Sequence, residues 1–185
     1  TWESSFYGPR FGTEEYVSVG GVPTIRTTDM QDGAVVMKSP PRVNVSADKL
    51  SLYQVKRGDL LVTRSGSIGT LALFESIEPA IPSAYLIRLR FLPELAPRYF
   101  KLFLVAPLGQ GLLGLNTTSV GVPNVSASKM AEFPLPLPPL AEQHRIVAKV
   151  DELLALCDRL QADLAGSRAR QERLAATLIE SALQA

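Results

Sequence analysis

With 185 residues, 46% hydrophobic and 20% charged, the chain has the balance of a folded globular protein, long enough for one domain with its own core plus an appendage. A net charge of +1 excludes a polybasic nucleic-acid binder: residues 1–133 carry 13 Lys and Arg against 11 Asp and Glu, and residues 134–185 carry 6 against 7. The single cysteine, Cys157, excludes an internal disulfide framework and a cysteine-cluster zinc site, and no apolar run approaches the roughly 18–20 residues that span a bilayer. With no signal peptide in view a cytoplasmic protein is expected, and Thr1 in place of Met points to a processed or excised piece.

In chain order, "GGVPTIRTTD" (residues 20–29) predicts a Gly-Gly turn and a strand over 22–28. "GAVVM" and "RVNVS" predict two short strands, and Ser46 is placed to cap a helical turn over 47–53. "GDLLVTRSGSIGTLALFES" (58–76) reads as strand, glycine-bearing loop, strand. "SAYLIRLRF" (83–91) alternates with period two: Tyr85, Ile87, Leu89 and Phe91 share one face, while Leu86, Arg88 and Arg90 share the other, where the arginines are expected to meet solvent. Residues 96–115 have a helical pattern interrupted at Pro107 and Gly109, and a polar loop over 116–129 follows. The fold class expected is α+β (mixed α/β), a strand-rich mixed sheet followed by a long C-terminal helix of coiled-coil type.

The segment "FPLPLPPLAEQHRIV" (133–147) puts four prolines within six positions, directly before the longest helical pattern. Proline cannot donate to a ladder and is the worst helix former, but it is harmless at or before a first helical turn. Pro138 and Pro139 therefore mark a helix start, Glu142 suits the positive end of its dipole, and Pro134 and Pro136 hold an extended joint while Leu135 and Leu137 pack. Three segments are expected: a domain over 1–133, the joint at 134–139 and a helix over 140–185. Within it Ile146, Val150, Leu153, Cys157, Leu160, Leu164, Ser167, Gln171, Leu174 and Leu178 recur at spacings of four and three, a heptad seam that turns polar beside Gly166, where a fray, kink or local turn is expected. At ~1.5 Å per residue such a helix is roughly 65 Å long. One small domain cannot cover its stripe, so a second helix is expected beside it.

Residues suited to catalysis are scarce. His144 is the only histidine, and its place beside Arg145 at the helix start fits a solvated or interface residue better than a base. Ser65 and Ser67 have no His/Asp partners at a readable spacing. "RSGSIGT" matches neither a P-loop nor a dinucleotide fingerprint, and its GSIG only loosely matches the GxxG backbone clamp of KH domains. "PLPLPP" could serve as an SH3-type ligand, but it runs straight into a helix, which favours a joint. No metal site is expected.

Taken in order, "GVPTIRTTDM", "GDLLVTRSGSIGT", "SAYLIRLRF" and "TTSVGVPNVSASKMAEFPLPLPPLAEQHRIVAKVDELLALCDRLQADL" closely resemble the DNA sequence-specificity (S) subunit of type I restriction–modification systems. The resemblance covers nearly the whole chain and is most diagnostic in the proline–helix block. It implies a target-recognition domain that binds double-stranded DNA, with no catalytic residues of its own. It also implies a long helix that pairs antiparallel with another and docks modification (methyltransferase) subunits; a restriction subunit is an optional further partner. S-adenosylmethionine, ATP and Mg would then belong to the partners and none to this chain. Full family subunits hold two such units, so this chain corresponds to a half subunit or a fragment, and a homodimer through the helix is expected. The helix-pairing and docking surface would comprise Pro138, Leu140, Ile146, Val150, Leu153, Cys157, Leu160 and Leu164. Base readout and phosphate positioning need basic, amide or hydroxyl groups on loops. Those criteria select Arg26, Thr27 and Thr28; Arg64, Ser65 and Ser67; and Asn116, Thr117 and Thr118. The alternative is a non-catalytic coiled-coil scaffold with a protein-binding head.

Overall fold

The computed structural model describes residues 2–64, 69–115 and 126–183. Ser65, Ser67, Asn116, Thr117 and Thr118 lie outside these. The chain forms two units, residues 1–144 and residues 145–185.

Among the described residues the first unit holds ten strands: β1 (Trp2–Tyr7), β2 (Tyr16–Val17), β3 (Val22–Ile25), β4 (Met30–Gln31), β5 (Ala34–Val35), β6 (Arg42–Val43), β7 (Leu60–Thr63), β8 (Leu71–Leu73), β9 (Ile81–Pro82) and β10 (Leu86–Phe91). They make two sheets instead of one, a six-stranded sheet in the order β1-β10-β7-β8-β5-β4 and a four-stranded sheet in the order β2-β6-β3-β9. Both are mixed: β5 runs parallel to β8 and β3 parallel to β9. Strand β3 stops at Ile25, short of the expected 28, because Arg26 and Asp29 close a single 3-10 turn over Thr27–Asp29. Helix α1 (Ala47–Tyr53) starts where Ser46 was expected to cap it, the Ser46 Oγ accepting from the Lys49 N–H at 3.3 Å.

The "LLVT" run of β7 is buried at all four positions, so the six-stranded sheet is covered on both faces. On one face Leu61, Ala72 and Leu86 pack with Ile25 of the four-stranded sheet and with Val55, Phe74 and Ala80. On the other lie α2 (Pro97–Val105) and α3 (Pro107–Leu115), with Phe100 and Phe91 ring centroids 5.2 Å apart. The break between these helices is at Ala106 and Pro107 alone; Gly109 lies inside α3. A Cβ there would stand 2.2 Å from the Phe103 carbonyl oxygen, so glycine lets the two backbones close up.

The arginine face of β10 is not solvated. Arg88 is 3% exposed, with its guanidinium 3.8 Å from the Phe6 ring centroid and Nη2 donating to Ser4 Oγ at 2.9 Å. Arg90 forks onto buried Asp59, Nε to Oδ1 at 2.9 Å and Nη2 to Oδ2 at 2.6 Å. Asp59 Oδ2 also accepts from the Lys56 N–H at 2.7 Å and lies 3.8 Å from Arg88 Nη1. Burial, helped by the charge of Arg90, lowers the Arg88 pKa to about 10 against the opposing pull of Asp59 and Glu3. The local alternation failed here because the neutralising carboxylate comes from a turn some thirty residues upstream.

After α4 (Ala127–Ala131) the chain runs without regular secondary structure from Pro134 to Pro139 and enters α5 (Leu140–Leu183). Tyr99 Oη donates to the Pro136 carbonyl at 2.8 Å. The Pro139 carbonyl accepts from the Glu142 and Gln143 amides at 2.8 and 3.1 Å. Gln143 is fully buried: its Oε1 accepts from the Ala96 N–H at 2.8 Å, and its Nε2 donates to the Glu94 and Pro138 carbonyls at 2.8 and 2.9 Å. This first turn of α5 belongs to the first unit. Of the two leucines expected to pack, Leu135 is half-buried and Leu137 is exposed.

The second unit is the rest of α5. The helix passes through Gly166 without the expected interruption. One interior glycine costs only about 1 kcal/mol relative to alanine, and Ala162, Leu164, Ala165 and Ala169 around it are strong helix formers.

Replacing Asp59 tests the buried cluster. Asp59→Ala strands two guanidinium groups, one of them wholly buried, and is expected to destabilise the fold by about 3–5 kcal/mol, measured by chemical denaturation.

Candidate nucleic-acid interface

Several chain ends converge at one end of the first unit, where β1, β3, β7 and β9 finish and β10 begins. The Arg64 N–H donates to the Tyr85 carbonyl at 3.0 Å, the Gly8 N–H to the Leu86 carbonyl at 3.1 Å, and the Ser83 N–H to the Ile25 carbonyl at 2.9 Å. A Cβ at Gly8 would lie 2.1 Å from the Pro82 and Ser83 carbonyl oxygens, so only glycine permits this crossing. Arg26 therefore adjoins residue 83 of the tight 83–86 turn, and Arg64 adjoins residue 85. The Tyr7 hydroxyl accepts from the Ala127 N–H at 3.3 Å, bringing in the start of α4.

Among the sequence-selected residues, Arg26 and Arg64 come to this end. Arg26 is held by Asp29: its Nε and Nη2 donate to the two carboxylate oxygens at 3.0 and 2.7 Å, and its own amide donates to Oδ2 at 2.8 Å. The Arg26 side chain remains 44% exposed. Burial pushes the Asp29 carboxyl up, but the side chain and amide of Arg26 outweigh it and hold the carboxyl below its ordinary value. Thr28 is exposed and Thr27 half-buried. The Arg64 guanidinium lies over the Tyr7 ring, 4.4 Å from its centroid. Tyr7 and Tyr85 are 37% and 58% exposed, and the sequence reading missed both as surface residues. Tyr85 had been grouped with Ile87 on one strand face, but it precedes the strand, in the turn before Leu86, where the alternation does not apply.

The residues selected for helix pairing lie at the start of α5 and along it. Pro138, Ile146 and Val150 are half-buried, whereas Leu140, Leu153, Cys157, Leu160 and Leu164 are exposed. Among the described residues no group of three or more His, Cys, Asp or Glu could hold a metal, and no helix is long and apolar enough to cross a membrane.

Residues 5–165 match the family model of the type I restriction modification DNA specificity domain. The chain belongs to this family. It is 27% identical over 169 residues to the type I restriction enzyme EcoBI specificity subunit of Escherichia coli, covering 89% of this chain and 35% of that subunit. With the EcoKI specificity subunit of Escherichia coli strain K12 the identity is 25% over 171 residues, covering 89% and 37%. This specificity-domain chain thus spans about a third of the length of these curated relatives. Its fold is similar to a chain in a structure of type I R-M complex assembly and conformational transition (TM-score 0.70, 20% identity, 92% of this chain and 40% of that one). It is also similar to the HsdS subunit from Thermoanaerobacter tengcongensis (TM-score 0.66, 20% identity, 85% and 36%).

The Arg26–Asp29 pair predicts an acid dependence. Because the folded carboxyl titrates below its unfolded value, its contribution is present above about pH 4 and is lost as the pH falls through the folded pKa. Asp29→Asn is expected to be less stable than wild type by about 1–2 kcal/mol at pH 7, the gap closing in acid when urea unfolding is followed from pH 7 to pH 3.

Proposed function

We propose that the chain is a sequence-specific DNA-recognition subunit, or half subunit, of a type I restriction–modification complex. Residues 1–133 are the recognition head, 134–139 the joint, and 140–185 the helix for pairing and docking. The family match over residues 5–165 carries this reading, and the cluster of Arg26, Arg64, Tyr7 and Tyr85 supports it with side chains suited to a duplex at one end of the head. Among the groups selected from the sequence, Ser65 and Ser67 directly follow Arg64 in the chain. The protein binds DNA and contributes no catalytic group. Modification subunits carrying S-adenosylmethionine methylate adenine at the site it selects, a restriction subunit brings ATP and Mg, and the complex works in the cytoplasm.

Binding is expected to be weak without the modification subunits, because the head is nearly neutral. It should weaken with salt, log K falling by about 0.9 per phosphate neutralised for each tenfold rise in salt. Arg64→Ala should lower binding to the cognate duplex more than to random duplexes, read by fluorescence anisotropy against sites mapped by methylation sequencing. Equal binding of every duplex by wild-type protein would overturn the reading.

The exposed stripe of α5 extends the proposal to assembly. Burying one leucine is worth roughly 1.5–3 kcal/mol, and Leu153, Leu160 and Leu164 share one face. Two copies pairing antiparallel would cover both stripes and set a head at each end, matched to an inverted-repeat site. Sedimentation is expected to give a dimer for wild type and a monomer for Leu153→Asp, which would bury an unpaired charge in the seam.

A further inference from the structure

The apolar seam of α5 specifies its own register. Ile146, Leu153 and Leu160 occupy one core position of the heptad, and Val150, Cys157 and Leu164 occupy the other. In antiparallel pairing each layer sets one kind against the other. One alignment of two copies matches all six with one another: Ile146 meets Leu164 of the second copy, Val150 meets Leu160, and Leu153 meets Cys157. The two-fold axis repeats each layer and passes beside residue 155. Leu154 and Leu156 flank the seam there, both exposed, and each meets its own counterpart across the axis. Flanking positions are usually charged, so leucines at the middle fit a helix that meets a copy of itself.

The charges on the flank agree with that alignment. Lys149 and Asp163 lie one heptad either side of Leu156, so Lys149 of each copy faces Asp163 of the other. Within its own chain Lys149 Nζ donates to both Glu152 oxygens at 2.9 Å, but that pair is exposed. Exposed pairs of this kind are weak, and the ammonium keeps a third donor for Asp163. Sliding one copy by a heptad in one direction sets Lys149 against Arg170 and draws Ser167 and Gln171 into the seam. Sliding it the other way sets Gln143 against Leu160, and Gln143 is already fully buried with three hydrogen bonds in its own chain. We propose that the helix covering the α5 stripe is that of a second copy, antiparallel and centred on residue 155, with Lys149 and Asp163 as the pair that selects this register. This rests on the dimer reading above and goes beyond it by fixing the register and the residues that select it.

Two measurements on the full chain test it. In sedimentation, Lys149→Glu and Asp163→Lys each set like charges together twice per dimer, and each is expected to weaken the dimer about tenfold. The double variant should return to within about threefold of wild type. The Lys149–Glu152 pair is lost in the single and the double variant alike, so the rescue reads the contact between copies. A spin label introduced by Ala169→Cys in a Cys157→Ala background reads the register directly, since Ala169 is exposed. The two labels are expected about 42 Å apart along the rod at ~1.5 Å per residue, against about 32 or 53 Å for a slide of one heptad. Parallel pairing would bring them side by side. A dimer that the double variant does not restore, or whose labels report another separation, overturns the register and leaves the dimer reading standing. A wild-type chain that stays monomeric at high micromolar concentration overturns both.

Discussion

The buried carboxylate of Asp59 is the constraint on which the head depends. It accepts the Lys56 amide and so closes the turn that starts β7, while its two oxygens take the fork of Arg90 and stand near Arg88. Both arginines lie on β10, which pairs with β1 on one side and β7 on the other. One side chain therefore fixes three adjacent strands at the end opposite the candidate interface. A buried charge lacking a partner is costly, so the carboxylate and the guanidinium groups require each other. That mutual requirement favours a single register for β10, and register decides which side chains emerge beyond Leu86.

At the start of α5 the same logic works with a neutral group. The proline segment supplies no amides at positions 134, 136, 138 and 139, and it leaves carbonyls that need donors. Gln143 answers one of them at Pro138, takes the Glu94 carbonyl with the same amide, and accepts the amide of Ala96 ahead of α2. Tyr99 answers the carbonyl of Pro136. A helix start made this way is anchored by hydrogen bonds of fixed geometry, while Leu137 and Leu140 beside it stay exposed.

The candidate interface combines a charge tied into the fold with one on a surface ring. Arg26 is tethered through three bonds to a carboxylate three residues away, which makes it a stable part of the turn with a partly exposed edge. Arg64 rests on a ring, an attraction worth about 0.5–1 kcal/mol at an exposed site.

Sequence alone determined the elements whose signals are local. The Ser46 cap fixed α1, the proline run fixed where α5 begins, and the heptad spacing fixed the stripe from Ile146 to Leu164, because capping, missing amides and helical period each act within a few residues. The order of short motifs was enough to show the resemblance to specificity subunits. Tertiary structure decided what depends on partners far along the chain. It split the strands into two sheets, since pairing of strands as short as two residues is set by neighbours such as Ile25 and Pro82. It buried Arg88 and Arg90, since their counter-charge lies at Asp59. It also brought the Arg64 guanidinium over the Tyr7 ring, since β1 and β7 must both pair with β10 before residues nearly sixty positions apart can meet.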